Sequence, residues 1–423
     1  MTLKLAQWSF LLLVFSVPFP RPFNVQFGGM AVPYTDLIFP FVLPLTLVSV
    51  WQKQITVVFD RALLLLAGYA AILTVGTFLP DAVPLKLLGE YYLFGLCGIA
   101  FVVCSDTDFM KKVVIIWLVA TALAVLASGA GIALFYVGHK AEASNYFLSH
   151  LGSLPAGNYP RVQGLFGNPN MLCNYLNVSV CFLLAAKFLG CISRPLAWIL
   201  FGGILIAGAF TISPGLGGIA LSLGLWFGNL YGERSIPLRR ISLVAGVFLA
   251  TAMLAVTLVS PETGNTPRWV QLPFSERKIE PSVRVLVWEN VIERVEPHLF
   301  LGRGTGALTA DLVYTQLSGE RQVLTDAHNI YLNVLGQSGL VGFAAFVIFV
   351  IGVTRRCSFA GGPLLAALSC AFIGGFLYQG LSGSFEDARH LWILIGMLLA
   401  ASRLTSTDGT SPTSTGPSLH PSI

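Results

Sequence analysis

Residues 112–137, KVVIIWLVATALAVLASGAGIALFYV, hold one charged side chain, Lys112, at their very start. A helix of about 20 mostly apolar residues reaches across a bilayer, so this stretch can span one unaided. Read outward on the same rule, the chain offers twelve candidate spans: 5–20, 31–50, 62–80, 84–104, 112–137, 170–189, 195–212, 215–231, 241–260, 328–353, 361–380 and 389–404. The first lacks a small-residue cleavage site and runs into Pro18, Pro20 and Pro22, which reads as an anchor rather than a signal peptide. The 423 residues are 55% hydrophobic and only 11% charged, against about 25% charged in soluble domains. A soluble enzyme, a disordered chain and a disulfide scaffold are excluded. The expected fold is an all-α polytopic membrane protein, with about twelve transmembrane helices in one domain, 1–404.

Net charge is +5, too small and dispersed to suggest a nucleic-acid partner; the bilayer is the expected one. Counting loops in order, the even loops and both termini carry 13 Lys and Arg, and the short odd loops carry 5. By the positive-inside rule both termini lie in the cytoplasm and the odd loops outside. Two outer loops are long, 138–167 and 261–327, and such loops usually carry function or structure of their own. Residues 405–423 are rich in Ser, Thr, Pro and Gly and are expected to be a disordered cytoplasmic tail. The seven cysteines show no CxxC spacing, and six lie in or beside apolar segments as small hydrophobes.

Within the longer loop, 281–296 (PSVRVLVWENVIERVE) reads as an amphipathic helix, with Pro281 in its first turn and Pro297 ending it. Val283, Val287, Val291 and Val295 form its apolar stripe, which would lie on the membrane surface or against the bundle. Arg284 and Trp288, four apart, share a face. Arg284 is either a solvated or snorkelling charge, or an anion ligand facing the bundle. The run Leu301-Gly302-Arg303-Gly304-Thr305-Gly306 could cradle phosphate on its N–H groups, but an irregular turn is the plainer reading. Asp326-Ala327-His328-Asn329 then opens a span. An imidazole at a helix mouth suits a general base; alone, it equally suits an interfacial side chain bonded to a carbonyl. Gly336, Gly339 and Gly342 would let another helix approach closely.

A second mouth reads PRVQGLFGNPNMLCNYL over 160–176. Arg161 lies outside, and Asn170 and Asn174 share a helical face, where they could cap, bond across helices or meet a polar ligand. Capping by Asn168 or Asn170 is the plain reading. The last outer loop, 384–392, adds Arg389 and Trp392, the latter read as an interfacial belt residue.

Three pieces together resemble the O-antigen ligase/O-antigen polymerase family: Arg161-x-x-Gly164-x-Phe166-x-Asn168-Pro169-Asn170; Arg284-x-x-x-Trp288 followed by Gly302-x-Gly304; and His328-Asn329-x-Tyr331-Leu332 leading to Gly339-Leu340-Val341-Gly342. The resemblance covers roughly 160–400 with motifs. It implies an all-helical membrane glycosyltransferase of about twelve spans with a large periplasmic loop. Such an enzyme moves a glycan from undecaprenyl diphosphate to a hydroxyl of a lipid A core or of another glycan. The reaction takes place outside the bacterial inner membrane, without metal or cofactor. The resemblance makes Arg284 the ligand of the donor diphosphate and His328 the base on the acceptor. It makes Arg161 a ligand of donor phosphate or glycan, with Asn170, Asn329, Arg303 and Arg389 as further substrate-binding positions. Many relatives carry a Ser-Arg pair at a middle span, where this chain reads Thr211-Ile212-Ser213-Pro214-Gly215; Arg161, Arg303 or Arg389 would have to supply the missing charge.

The chemistry asks for little more. Breaking the C1–O bond of a sugar diphosphate develops negative charge that guanidinium groups can stabilise bidentately. The acceptor hydroxyl must lose one proton, and a single displacement inverts the anomeric carbon. The other readings are a protein O-oligosaccharyltransferase and, outside the class, a secondary transporter or exporter. A transporter places ionisable groups at the midplane, for which Asp36 and Glu90 are the candidates, both toward the outer side.

Overall fold

The computed structural model describes residues 1–19, 25–27, 30–55, 60–139, 148–151, 160–230, 235–262, 264–315, 321–385 and 388–408. The protein is predominantly helical. In chain order the helices are α1 Thr2–Ser16, α2 Tyr34–Trp51, α3 Arg61–Gly76, α4 Pro84–Val103, α5 Thr107–Tyr136, α6 Pro169–Phe188, α7 Arg194–Phe210, α8 Leu216–Leu230, α9 Ile236–Val256, α10 Val283–Val295, α11 Ile330–Thr354, α12 Gly362–Ala371 and α13 Arg389–Asp408. Among the described residues, seven helical stretches are long and apolar enough to cross a membrane: α2, α4, α5, α6, α9, α11 and Gly362–Leu381, which contains α12. The helices α1, α3, α7 and α8 are apolar but only 15 to 17 residues long. The chain is a multi-pass membrane protein.

The ends of these helices follow from local chemistry. Asp60, Asp106, Asn168, Ser235 and Asn329 accept hydrogen bonds from first-turn N–H groups, and Pro stands in the first turn of α4, α6, α7, α9 and α12. The helix α6 is the centre of the bundle, buried along most of its length. Ser179 is satisfied inside, accepting from Trp117 Nε1 at 2.9 Å and from Thr121 Oγ1 at 2.9 Å, and Tyr175 stacks on Trp117 with centroids 5.2 Å apart, whereas the buried Asn177 side chain has no hydrogen-bond partner among the described residues. Trp392 is fully buried between Phe349 and Phe94, so it belongs to the core and not to an interfacial belt. Helix α13 continues to Asp408, four residues into the expected tail; 409–423 lie outside the described residues.

The fold is not purely helical. Short strands pair in the connections: β1 Val25–Phe27 with β2 Met30–Val32, β3 Leu148–Leu151 with β4 Pro160–Val162, β5 Val259–Pro261 and β6 Val270–Gln271 with β7 Lys278–Pro281, and β8 Leu312–Thr315 with β9 Arg321–Leu324. Their antiparallel pairing satisfies backbone groups that long loops would otherwise leave to water. Pro281 therefore ends a strand instead of opening a helix, and α10 starts at Val283. The valine stripe points inward: Val287, Val291 and Val295 pack on Ala310, Ala327, Leu332 and Leu335. Of the two positions open to the amphipathic helix, it takes the one against the bundle.

The glycine run explains itself through α11. That helix breaks at Gly339, where φ is 61° and ψ −166°. The break frees backbone groups, and 299–304 lie along them: Leu340 N–H donates to Leu299 O at 2.8 Å, Val341 N–H to Phe300 O at 3.2 Å, Arg303 N–H to Gly336 O at 3.0 Å and Gly304 N–H to Gln337 O at 2.9 Å. A Cβ on Gly302 would lie 2.4 Å from Gln337 O, and one on Gly339 2.4 Å from Phe300 O. Gly336 and Gly339 thus admit a loop, while a Cβ on Gly342 would lie 3.5 Å from Ile72 of α3, and the run Leu301–Gly306 plugs a broken helix rather than cradling a phosphate.

Candidate functional site

Four segments that are remote in sequence meet at the start of α11. Helix α10 brings Arg284, the turn before α11 brings Asp326 and His328, the turn after α12 brings Ser382 and Ser384, and β4 brings Arg161. Beyond Ala371 the regular helix ends: Phe372–Tyr378 is a π-helix and Gln379–Leu381 a 3-10 turn. Such distortion turns backbone carbonyls out of the helix. They are used at once. Tyr331 Oη donates to Leu377 O at 3.0 Å, Asn329 Nδ2 to Leu381 O at 3.2 Å, and Arg284 Nη1 to Ser382 O.

Arg284 is partly buried, and no carboxylate of the described residues pairs with it; the Ser382 carbonyl is its hydrogen-bond partner. Burial pushes the guanidinium down to about 10, helped by the charge of Arg161. Arg284 stays charged at neutral pH, with Arg161 close enough to oppose it. Arg161 Nε donates to Thr211 O at 3.0 Å and its Nη2 to Asn170 Oδ1 at 3.4 Å. It therefore lies on the very stretch, 211–215, that lacks an arginine of its own. Ile212 there holds a φ of 48°, strained for a β-branched residue. Asn168, not Asn170, caps α6, accepting from Asn170 N–H at 2.8 Å.

Trp288 Nε1 donates to Ala327 O at 2.9 Å, one residue before His328. This bond ties the Arg284 helix to the histidine turn and gives the Arg-x-x-x-Trp spacing its physical sense. His328 holds a φ of 47°, a left-handed conformation that non-glycine residues adopt at a cost. Asp326 Oδ1 accepts from His328 N–H at 2.5 Å and from Ser384 Oγ at 2.6 Å, and it lies 3.1 Å from His328 Nδ1. Desolvation lowers the imidazole from its ordinary value, Asp326 raises it, and Arg284 lowers it further; the net direction is down. The imidazole is thus neutral at neutral pH and able to accept a proton.

The other expected site residues are placed differently. Arg303 gives Asp81 Oδ2 two bonds, 2.9 Å from Nε and 2.6 Å from Nη2, and a third to Leu308 O at 3.1 Å. Arg389 is bidentate on Asp36, at 2.7 Å from both Nε and Nη2. Neither joins Arg284; each charge is spent on a carboxylate of a segment distant in sequence. Asn329 caps α11 through Tyr331 N–H at 2.9 Å and Leu332 N–H at 3.2 Å, which commits its side-chain oxygen. Asn174 is fully buried, held by Gly375 O at 2.8 Å, Gln379 Oε1 at 2.5 Å and His390 Nε2 at 2.5 Å. The structure thus brings together Arg161, Asn170, Arg284 and His328. It adds Asp326 and Ser384, which sequence reasoning did not single out. Asp326, two residues before the histidine, was visible as a possible turn former; nothing in the sequence pointed to Ser384, 56 residues from His328. Among the described residues no group of three His, Cys, Asp or Glu side chains is placed to hold a metal ion.

None of the curated proteins compared matches the chain. Residues 177–347, about two fifths of the chain, match the family model described as O-antigen ligase. The matched stretch carries Arg284, Asp326 and His328; Arg161 and Ser384 lie to either side of it. Over residues 177–347 the chain is similar to the O-antigen ligase family, and this match supports the resemblance carried by the motifs.

Proposed function

We propose that this protein transfers a glycan from undecaprenyl diphosphate to an acceptor hydroxyl at the periplasmic face of a bacterial inner membrane. It would act as ligase or polymerase in surface-polysaccharide assembly, with both termini in the cytoplasm. One observation carries the reading: among the described residues Arg284 has a carbonyl and no carboxylate as partner, is opposed by Arg161, and adjoins a neutral His328. Two like charges held together favour an anion between them, and a diphosphate offers phosphoryl oxygens to both guanidinium groups.

In this mechanism Arg284 and Arg161 take the charge that grows on the diphosphate as the C1–O bond breaks. Arg161 replaces the family's missing arginine, since it lies against Thr211 O while Arg303 and Arg389 are committed to Asp81 and Asp36. His328 takes the acceptor's proton as the hydroxyl oxygen attacks C1 from the opposite face, so the anomeric centre inverts and no metal is needed. The Asp36–Arg389 pair also removes one of the two carboxylates that a transporter would use.

The test is complementation of a strain lacking the gene, with glycans resolved on gels. His328→Ala and Arg284→Ala each abolish transfer while the protein still inserts in the membrane. Accumulated lipid-linked polymer identifies a ligase, and single capped repeats identify a polymerase. Wild-type glycan in either variant contradicts the mechanism.

A further inference from the structure

We infer that Asp326, held by Ser384, is the positioning residue of the His328 base: it fixes which imidazole nitrogen faces the acceptor and stabilises the imidazolium that transfer creates. The inference rests on the function proposed above.

The geometry is that of a carboxylate oxygen with two hydrogen-bond donors and an imidazole nitrogen beside it. Asp326 Oδ1 receives the His328 backbone N–H at 2.5 Å and the Ser384 hydroxyl at 2.6 Å, and it stands 3.1 Å from Nδ1 of the same histidine. A carboxylate only accepts, so its negative charge 3.1 Å from Nδ1 favours the tautomer with the hydrogen on Nδ1 and the lone pair on Nε2. The backbone bond closes an Asx turn and holds His328 at its φ of 47°, so one side chain sets both the turn and the ring. Ser384 Oγ, 3.5 Å from Nδ1, clamps the carboxylate from the other side. The same short stretch supplies Ser382 O to Arg284; residues 382–384 therefore couple the cation and the base. Among the described residues, the charged groups facing the ring are Asp326 on its own turn and Arg284 on α10, with Arg161 of β4 beyond Arg284.

In the step, the acceptor O–H bond breaks and its proton moves to Nε2. The oxygen's electron pair forms the bond to C1, and the C1–O electron pair leaves on the diphosphate. The ring becomes a cation with Asp326 beside it and Arg284 nearby. Asp326 offsets a charge that Arg284 alone would oppose, which is why a base placed beside a guanidinium needs a carboxylate at its back.

Membranes of the deletion strain, carrying the full-length chain or a variant, supply donor and acceptor together, and transfer is read on gels between about pH 5 and 8. Asp326→Asn keeps an oxygen for the turn but loses the charge. It should reduce transfer roughly tenfold or more and move the acid limb of the pH profile to lower pH. Ser384→Ala keeps the charge and frees the carboxylate, so the limb should move to higher pH with a smaller loss of rate. In His328→Ala, adding Asp326→Asn should cost nothing further. The rate of carbethoxylation of His328 by diethyl pyrocarbonate, read by peptide mass spectrometry in nanodiscs, should show the same opposite displacements without any acceptor. A purely structural turn former would leave both limbs where they are. If Asp326→Asn transfers at the wild-type rate with an unmoved profile while His328→Ala is dead, the positioning role is overturned and the proposed function stands. An active His328→Ala overturns the function itself.

Discussion

At the scale of single residues, the site separates cations by what they touch. Arg284 and Arg161 oppose each other, while Arg303 and Arg389 are each bound twice to a carboxylate. Arg161→Ala should therefore impair transfer by weakening the hold on the donor and on the charge that grows in transfer, by about tenfold or more for a lost charge-assisted contact, seen as a lowered kcat together with a raised KM for donor. Arg161→Lys should recover part of it, because a lysine supplies charge but not the fork that spans Thr211 O and Asn170. Arg303→Ala should lower expression and thermal stability but leave the transfer rate per folded molecule near wild type. The pH dependence follows from His328. A base with a lowered pKa is neutral down to more acidic pH, so activity should persist below the ordinary imidazole value of about 6.5 and fall only as pH drops through the lowered one.

At the scale of elements, two irregularities do what regular helices cannot. The π-helical and 3-10 turns after α12 turn out the carbonyls that receive Tyr331, Asn329 and Arg284. The break of α11 at Gly339 accepts the segment 299–304 and so locks the long connection onto the bundle. Gly339→Ala would need φ near 61° and a Cβ within 2.4 Å of Phe300 O. It should cost at least about 2 kcal/mol, visible as a lower melting temperature in detergent together with easier proteolysis between α9 and α11. Trp288→Phe keeps the packing of α10 but removes the bond to Ala327 O. It should cost about 1 kcal/mol and slow transfer more than that loss explains, because the histidine turn is released.

At the scale of the whole molecule, ion pairs join helices distant in sequence: Asp36 of α2 to Arg389 of α13, and Asp60 before α3 to Arg356 after α11. For the first pair a double-mutant cycle should show coupling, with Asp36→Asn and Arg389→Gln each lowering detergent stability and the double variant no lower than the worse single one. Much of this architecture was legible in the sequence. Apolar runs of spanning length, punctuated by Asp, Asn, Ser and Pro at their starts, specify helices through hydrophobic burial and capping, which are local effects. The twelve stretches read from the sequence all fall on helices, and seven helical stretches meet the length and apolarity of a span. The order Arg284, His328 along the chain carried the family resemblance, because that chemistry depends on residue type. The sequence could not say which of four arginines would face a counter-ion. Nor could it say that Trp392 is core, that the glycine run fills a broken helix, or that Ser384 reaches Asp326. Those outcomes depend on which distant backbone groups come within about 3 Å of one another. Only the packing of the complete bundle decides that, since a cation pairs with whatever carboxylate or carbonyl the fold delivers to it.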